Sequence, residues 1–191
     1  MSVQLLLFAK APHPGRVKTR LCPPATPEQA AAIAEAALAD TIDVLSATPA
    51  MHRTIVLSGQ YPVPAGWHAV AQRGSGLAAR LVHAYTETAL TGIPSLLVGM
   101  DTPQLTTALL TTAARTLGNG ADAVLGPAED GGWWTLGLPY GSEGWGFESL
   151  RARHPEQAVF MFIESFVDGG CHGGVALVSS PSVTQLIVVG R

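Results

Sequence analysis

The sequence predicts an α/β protein, a three-layer α/β/α sandwich in which a mostly parallel β-sheet lies between helices. Two observations lead to this prediction. Short continuous apolar runs, such as residues 3–9 and 94–100, are typical of strands that are buried on both faces. These runs alternate with helix-like segments at spacings that suit βαβ crossovers, which connect parallel strands. Ligands of such sheets bind outside the carboxyl ends of the strands.

The elements of the first half follow from local signals. After the run at 3–9 and a loop rich in proline, residues 26–29 (Thr-Pro-Glu-Gln) supply an N-cap, a proline at the first helical position and a capping-box glutamine. An alanine-rich helix is therefore predicted to about Ser46. Two strands are predicted at 53–58 and 67–71, and a helix at 76–90 that Gly92 is suited to end.

The second half is predicted in the same way up to residue 138. After the strand at 94–100, Thr102 and Pro103 are expected to cap a helix that runs to Leu117 and that Gly118 closes. Two further strands are predicted at 121–125 and 133–138. The last third has an irregular pattern, in which 159–166 and 175–178 indicate short strands or a helix and 182–189 indicates a strand.

Composition excludes several classes of protein. A chain of 191 residues that is 47% apolar forms one domain with a real core. It contains no apolar stretch of about 18 residues and no signal-peptide layout, so we expect a cytoplasmic protein without a membrane span. Cys22 and Cys171 are expected to be reduced thiols. The net charge of −3 and the lack of a basic, aromatic-rich stripe argue against nucleic-acid binding.

The chain has only two lysines, Lys10 and Lys18, and both lie in the loop after the first strand. With Arg16 and Arg20 they place four of the eleven cationic side chains within eleven residues. Such a concentration of positive charge just after a strand indicates a small anionic ligand. A solvated basic loop is the alternative, but the Pro-x-Pro-Gly15 turn between the lysines favours a phosphate site.

Asp101 directly follows the strand at 94–100. A carboxylate in this position is suited to a divalent cation, because magnesium takes one or two carboxylates and leaves its other positions to water and substrate phosphates. The alternative is that Asp101 merely caps the following helix. The residues themselves do not favour either interpretation.

Residues 129–134 combine two acids, two glycines and two tryptophans. The glycines allow the backbone to approach a ligand, and the tryptophans could form a wall for a sugar or a base. An acidic hairpin turn is the alternative. A cation held between Asp101 and Asp130 would explain both acidic segments, with Lys10, Lys18 and Arg20 on the phosphates.

Several common sites are excluded. Pro12 and Val17 stand where a Walker A loop needs glycine, and no Gly-x-Ser-x-Gly nucleophile elbow occurs. The six histidines show no metal-ligand spacing.

Four motifs occur in order along the chain: Phe-Ala-Lys-Ala-Pro-x-Pro-Gly-x-Val-Lys-Thr-Arg-Leu at 8–21, Gln-x-Gly at 72–74, Gly-x-Asp-x-Pro at 99–103, and Gly-Pro-Ala-x-Asp-Gly-Gly at 126–132. Together they resemble a bacterial family of glycosyltransferase-A-like proteins in the nucleotide-diphospho-sugar transferase superfamily. Its distant relatives are the guanylyltransferases of molybdenum cofactor and of phospholactate. The resemblance covers about residues 3–138.

This resemblance implies a Rossmann-like sandwich of the glycosyltransferase-A type. It also implies a metal-dependent transferase that uses a nucleotide-diphospho-sugar or a nucleoside triphosphate, with an unknown small-molecule acceptor. Lys18 and Asp101 would be catalytic, and Asp101 and Asp130 would bind Mg²⁺ or Mn²⁺. The residues expected to bind nucleotide and phosphate are Lys10, Gly15, Arg16, Lys18, Thr19, Arg20, Gln72 and Gly74.

The chain departs from the family pattern in three places. Gly76 and Ala78 replace an aspartate and a glycine, Trp133 stands where tyrosine is usual, and the usual Trp-Ser-Thr-type segment is missing after Leu138. We therefore expect a nucleotide-binding domain at 1–138 and an atypical C-terminal segment at 139–191. The altered end leaves open the alternative of a degenerate nucleotide-binding protein without activity. A further alternative is a structural α/β domain whose basic loop only contacts a protein partner.

Overall fold

The structure is a computed structural model, which describes residues 2–121, 123–128 and 132–139 and the backbone of two later strands. The strands are β1 (Gln4–Lys10), β2 (His52–Ser58), β3 (His68–Ala71), β4 (Ser95–Gly99), β5 (Ala123–Pro127), β6 (Trp133–Leu138), β7 (Val175–Val178) and β8 (Leu186–Val189). The helices are α1 (Pro27–Ala47), α2 (Gly76–Thr88) and α3 (Thr107–Gly118), and a short 3₁₀ helix spans Thr19–Leu21.

These strands form one sheet in the order β3-β2-β1-β4-β6-β5-β8-β7. The first four strands of that order are parallel to one another. β6 runs against both β4 and β5, so within the first six strands five point in one direction and β6 points in the other. The prediction of a mostly parallel sheet is confirmed.

The side chains of β1 alternate between two helical layers, because successive residues of a strand point to opposite faces. Leu5 and Leu7 belong to the apolar cluster that contains the buried residues of α1 and α3. Leu6 belongs to the second cluster, which contains the buried residues of α2. The sheet therefore separates α1 and α3 from α2, which is the predicted three-layer arrangement.

α1 begins as predicted. Thr26 Oγ1 accepts a hydrogen bond from Gln29 N at 3.2 Å, and Gln29 Oε1 accepts one from Thr26 N at 2.8 Å. This reciprocal pair satisfies two of the N–H groups that a helix start leaves open. Small buried residues such as Ala30 and Ala34 allow the helix to lie close to the sheet.

Tyr85 fixes α2 on the opposite face. Its phenol is 2% exposed and donates a hydrogen bond to Leu136 O of β6 at 2.6 Å. Burial raises the pKa of Tyr85 well above its ordinary value, so the hydroxyl keeps the proton that it donates.

The predicted start of α3 is wrong. Thr102 and Pro103 do not cap the helix; it begins at Thr107, and Thr106 Oγ1 accepts a hydrogen bond from Leu109 N at 3.2 Å. Residues 102–105 instead form a turn in which Leu105 N donates to Thr102 O at 3.2 Å. Leu105 is 4% exposed, and its burial favours this turn over another helical turn.

Two strands of the last third lie in the same sheet. β7 coincides with the predicted segment 175–178, and β8 lies within the predicted segment 182–189 and pairs with β5. The predicted element at 159–166 lies outside the described residues, as does Cys171. No helix in the described part of the chain has the length and the hydrophobicity that a membrane crossing needs.

Strand register brings several loop ends to one edge of the sheet. Lys10 pairs with Ser58, Leu57 pairs with Ala71, and Phe8 pairs with Gly99, so β1 to β4 all end at this edge. Since β6 runs the other way, it begins there. We call this the carboxyl edge.

We predict that Gly126→Ala lowers the free energy of unfolding by about 2 kcal/mol, because a Cβ at this position of β5 would overlap the buried indole of Trp134. Gly118→Ala is the matched control and should not lower stability, since a Cβ there meets no atom within 4 Å beyond its own helix backbone and chain neighbours, and alanine favours a helix more than glycine does. Urea denaturation measures both variants. Equal stability of Gly126→Ala and the wild type would contradict the packing of Trp134 on β5.

Candidate functional site

A cavity of about 460 Å³ opens at the carboxyl edge. Its wall combines the ends of β1 and β4, the loop after β3, the first turns of α2 and the start of β6. This is where a sheet of this kind binds its ligands. The lining residues are Phe8, Ala9, Lys10, Gln72, Arg80, Gly99, Met100, Asp101, Thr102, Gln104, Ala128, Gly132, Trp133 and Trp134.

The basic loop after β1 is held in a defined shape. Arg16 N donates to His13 O at 3.0 Å, which closes a turn with Gly15 at a φ of +71°. Val17 follows and is buried in the cluster of α1 and α3. Lys18 then takes a φ of +44°, a left-handed conformation that no other non-glycine residue of the described chain adopts. Such a conformation costs roughly 1–3 kcal/mol and is often found at functional sites.

Lys10 joins this loop to the end of the sheet. Its Nζ donates to Arg16 O at 2.7 Å. Its backbone N lies 3.1 Å from Met100 Sδ, so β1 and β4 are also connected through Lys10. One of the three N–H donors of the ammonium group therefore holds the loop, and Lys10 is also one of the residues that line the cavity.

Asp101 lies in the turn between β4 and α3. The neighbouring Thr102 is 6% exposed and its hydroxyl donates to Gly99 O at 3.3 Å, which anchors the turn. Because Thr106 caps α3, the interpretation of Asp101 as a helix cap is wrong. Its side chain is 58% exposed and lines the cavity.

An ion pair connects the two strongest sequence motifs. Lys18 Nζ lies 2.9 Å from Asp101 Oδ1, although the two residues are far apart in the sequence. Both side chains are accessible, 25% for the lysine and 58% for the aspartate. An exposed pair of this kind contributes less than about 1 kcal/mol to stability. Stability therefore does not account for a strained lysine facing a carboxylate.

Gln72 is oriented by two backbone carbonyls. Its Nε2 donates to Ala9 O at 2.7 Å and to Val56 O at 3.0 Å. An amide nitrogen has two hydrogens, so these bonds use both of them. What Gln72 can offer a ligand is its carbonyl oxygen, which accepts a hydrogen bond.

Gly74 has a conformational role that the sequence did not reveal. Its φ is +112°, and a Cβ on it would come within 2.9 Å of Ala79 Cβ, so only glycine fits. Its carbonyl accepts a hydrogen bond from Arg80 Nε at 3.2 Å. The loop after β3 thus folds back onto the start of α2.

Aromatic residues form the apolar part of the cavity wall. Phe8 and Trp133 pack on the α2 side of the sheet, and Trp134 packs on the α1 and α3 side. Trp134 is 4% exposed, and within the described chain its Nε1 has no hydrogen-bond partner. Both tryptophans are among the lining residues, and their contact with a sugar or a base stays a prediction.

The structure brings together part of the predicted set. Lys10, Gln72 and Asp101 line the cavity, and Lys18 is bonded to Asp101. Six predicted residues do not line it: Gly15, Arg16, Lys18, Thr19, Arg20 and Gly74. Of these, Lys18 reaches the wall through its ion pair with Asp101. Asp130 lies outside the described residues, between Ala128 and Gly132, which both line the cavity.

Arg80 was missed by the sequence analysis. It lies near the start of a helix that follows a strand, and such a helix begins at the carboxyl edge, so the signal was available. Among the described residues, no group of three or more His, Cys, Asp or Glu side chains could hold a metal ion. Asp101 is the carboxylate on the described wall.

Comparison with known families identifies the family of this chain. The family model with the description “Uncharacterized protein conserved in bacteria (DUF2064)” matches residues 30–153, which is more than half of the chain. The chain belongs to the DUF2064 family. No curated protein matches this DUF2064 chain.

Solved structures share the fold. A proposed nucleotide-diphospho-sugar transferase from Desulfovibrio desulfuricans G20 is 25% identical, with a TM-score of 0.67 over 85% of this chain and 77% of its own. A homologue of Rv0371c from Mycobacterium sp. strain JC1 is 20% identical, with a TM-score of 0.56 over 86% and 81%. Rv0371c from Mycobacterium tuberculosis H37Rv, solved with manganese, is 17% identical, with a TM-score of 0.55 over 86% and 83%. The fold is therefore that of nucleotide-diphospho-sugar transferase-like α/β proteins.

We predict that Lys18→Gly leaves the free energy of unfolding unchanged or raises it by up to about 1 kcal/mol. The substitution removes an exposed ion pair of small value and relieves the left-handed conformation. Thermal and urea unfolding measure the change. A loss of more than about 1 kcal/mol would mean that the ion pair holds the fold together, and would contradict a ligand-binding role.

Proposed function

We propose that this protein is a metal-dependent transferase of the glycosyltransferase-A type, which binds a nucleotide-diphospho-sugar or a nucleoside triphosphate in the cavity at the carboxyl edge. The observation that carries the proposal is the ion pair between Lys18 and Asp101, the carboxylate that lines this cavity. It joins a strained cationic loop to an exposed carboxylate, and the pair itself contributes little to stability.

The cationic loop supplies the phosphate-binding groups. Lys18 has three N–H donors and Asp101 takes one, so two remain for phosphate oxygens in the part of the chain that the structure describes. Lys10 lies on the cavity wall with its ammonium held by Arg16 O. Arg20 is exposed on the 3₁₀ helix after Lys18 and extends the positive surface. Such groups stabilise negative charge as it develops on the leaving phosphate.

Asp101 fits a divalent cation. Its oxygens are accessible at the cavity, and one or two carboxylates are enough for Mg²⁺ or Mn²⁺ when phosphates and water complete the coordination. A bound cation would neutralise the phosphates and the leaving group. Asp130 is proposed as the second carboxylate. Rv0371c, which shares the fold, was solved in complex with manganese.

Gln72 is proposed to contact the nucleoside. Since both hydrogens of its amide are bonded to Ala9 O and Val56 O, it can accept a hydrogen bond from a base but cannot donate one. The aromatic wall of Phe8 and Trp133 offers an apolar surface to a base or a sugar.

A second candidate is a nucleotide-binding protein without activity. Two observations favour it. The described residues of the cavity wall include one carboxylate, Asp101, and Gly76 stands where the family pattern has an aspartate. Release of nucleoside diphosphate or pyrophosphate from a panel of nucleotide sugars and triphosphates, with Mg²⁺ and candidate acceptors, separates the two. Release supports the transferase, and tight binding without release supports the second candidate.

We predict that two variants weaken nucleotide binding with different dependence on the metal. Lys18→Gln should weaken nucleoside triphosphate binding by on the order of tenfold or more, with or without Mn²⁺, because a direct cationic contact is lost. Asp101→Asn should weaken it only in the presence of Mn²⁺, because its carboxylate acts through the metal. Titration calorimetry measures both.

Arg115→Gln is the control for this comparison, since it removes an exposed charge from α3. It should leave the affinity unchanged. Unaltered affinity in both Lys18→Gln and Asp101→Asn would remove this cavity as the nucleotide site.

A further inference from the structure

Arg80 enters the cavity from the side opposite to the basic loop. It lies in the second turn of α2, is partly buried and lines the cavity. α2 packs on the face of the sheet that contains Leu6 and Trp133, whereas Val17 anchors the basic loop on the other face. Cationic groups therefore reach the carboxyl edge from both sides of the sheet.

The guanidinium of Arg80 is only partly used by the protein. Its Nε donates to Gly74 O at 3.2 Å, which fixes the direction of the group. Within the described residues its two terminal nitrogens have neither a carboxylate nor a carbonyl partner. A guanidinium held in this way presents a pair of parallel N–H donors, which fits the oxygens of a phosphate or a carboxylate.

A neighbouring arginine shows the contrast. Arg73 precedes Gly74 in the loop after β3. It is exposed, pairs with Glu87 at 3.3 Å and does not line the cavity. Arg80 has no such counter-charge in the described chain. The described residues of the cavity wall include two cationic side chains, Lys10 and Arg80, and one carboxylate, Asp101, which already pairs with Lys18. Among the described residues of this wall, cationic side chains therefore outnumber carboxylates.

We infer that Arg80 is a second oxyanion-binding point of the cavity, which binds a phosphate or carboxylate group of a ligand through its terminal nitrogens. The inference rests on the proposed function, which supplies the ligand that carries this phosphate or carboxylate. It belongs either to the nucleotide or to an acidic acceptor that lies against the α2 side. Both sources have the same chemistry, and the experiment below separates them.

A purely structural role makes a different prediction. If Arg80 only holds the loop through Gly74, the loss of its Nε–H matters and the loss of its charge does not. Arg80→Lys keeps the charge without the Nε–H, and Arg80→Gln removes the charge. Partial rescue of anion binding by Arg80→Lys, with thermal stability close to that of Arg80→Gln, is the signature of oxyanion binding.

The test is titration calorimetry of the whole chain with three probes: pyrophosphate, a nucleoside triphosphate with Mn²⁺, and inorganic phosphate added to the nucleotide-saturated protein. We expect Arg80→Gln to weaken at least one of them by about tenfold or more and Arg80→Lys to recover part of it. Arg73→Gln is the matched control and should change none of them.

Each outcome decides a separate point. If Arg80→Gln binds the triphosphate more weakly, the oxyanion that Arg80 binds belongs to the nucleotide. If the variant instead loses the phosphate bound beside the nucleotide, that oxyanion belongs to the acceptor. If the wild type binds pyrophosphate but no nucleotide, the proposed function fails, and the effect of Arg80→Gln on pyrophosphate alone decides the inference. Equal affinities of Arg80→Gln and the wild type for every probe, or equal losses in Arg73→Gln, would overturn it.

Discussion

Parallel pairing of β1 with β2 on one side and with β4 on the other brings the basic loop and the Asp101 turn to the same edge of the sheet. The register ends these strands at one edge, so loops that are far apart in the sequence meet there. Lys18 and Asp101 come within 2.9 Å of each other for this reason. The pairing is itself a product of burial, since β1 is apolar on both faces and can only lie between two layers of helices. A change that displaced β1 would separate the cationic loop from the carboxylate.

The site is distinguished by the uneven use of its polar groups. Gln72 gives both amide hydrogens to the backbone, and Lys10 gives one donor to the loop, so both side chains have fixed directions. By contrast, Lys18 and Arg80 keep donors for which the described chain supplies no acceptor. Side chains with fixed directions, together with cations that keep unused donors, form a surface that can bind an oxyanion. Membership of the DUF2064 family and the nucleotide-diphospho-sugar transferase-like fold agree with that description.

The sequence predicted those features that depend on local physics. The apolar run of β1 and the capping box at Thr26 were sufficient to predict the first strand and helix. The start of α3 was mispredicted because Thr102 and Thr106 are both good caps, and only the burial of Leu105 decides between them. The role of Arg80 depends on how α2 is rotated on the sheet, which a pattern of residue types does not specify. Contacts of the remaining loop cations with a ligand, and of Asp130 with a metal, stay predictions.

The central claim is that Asp101 and Lys18 form one nucleotide–metal site at the carboxyl edge. Crystals grown with Mn²⁺ and a nucleoside diphosphate, with diffraction measured at the manganese absorption edge, test it most directly. The account predicts an anomalous peak bonded to an Asp101 carboxylate oxygen, with the diphosphate in the cavity and in contact with Lys18. A manganese peak without a bond to Asp101, or a nucleotide bound outside this cavity, would contradict it.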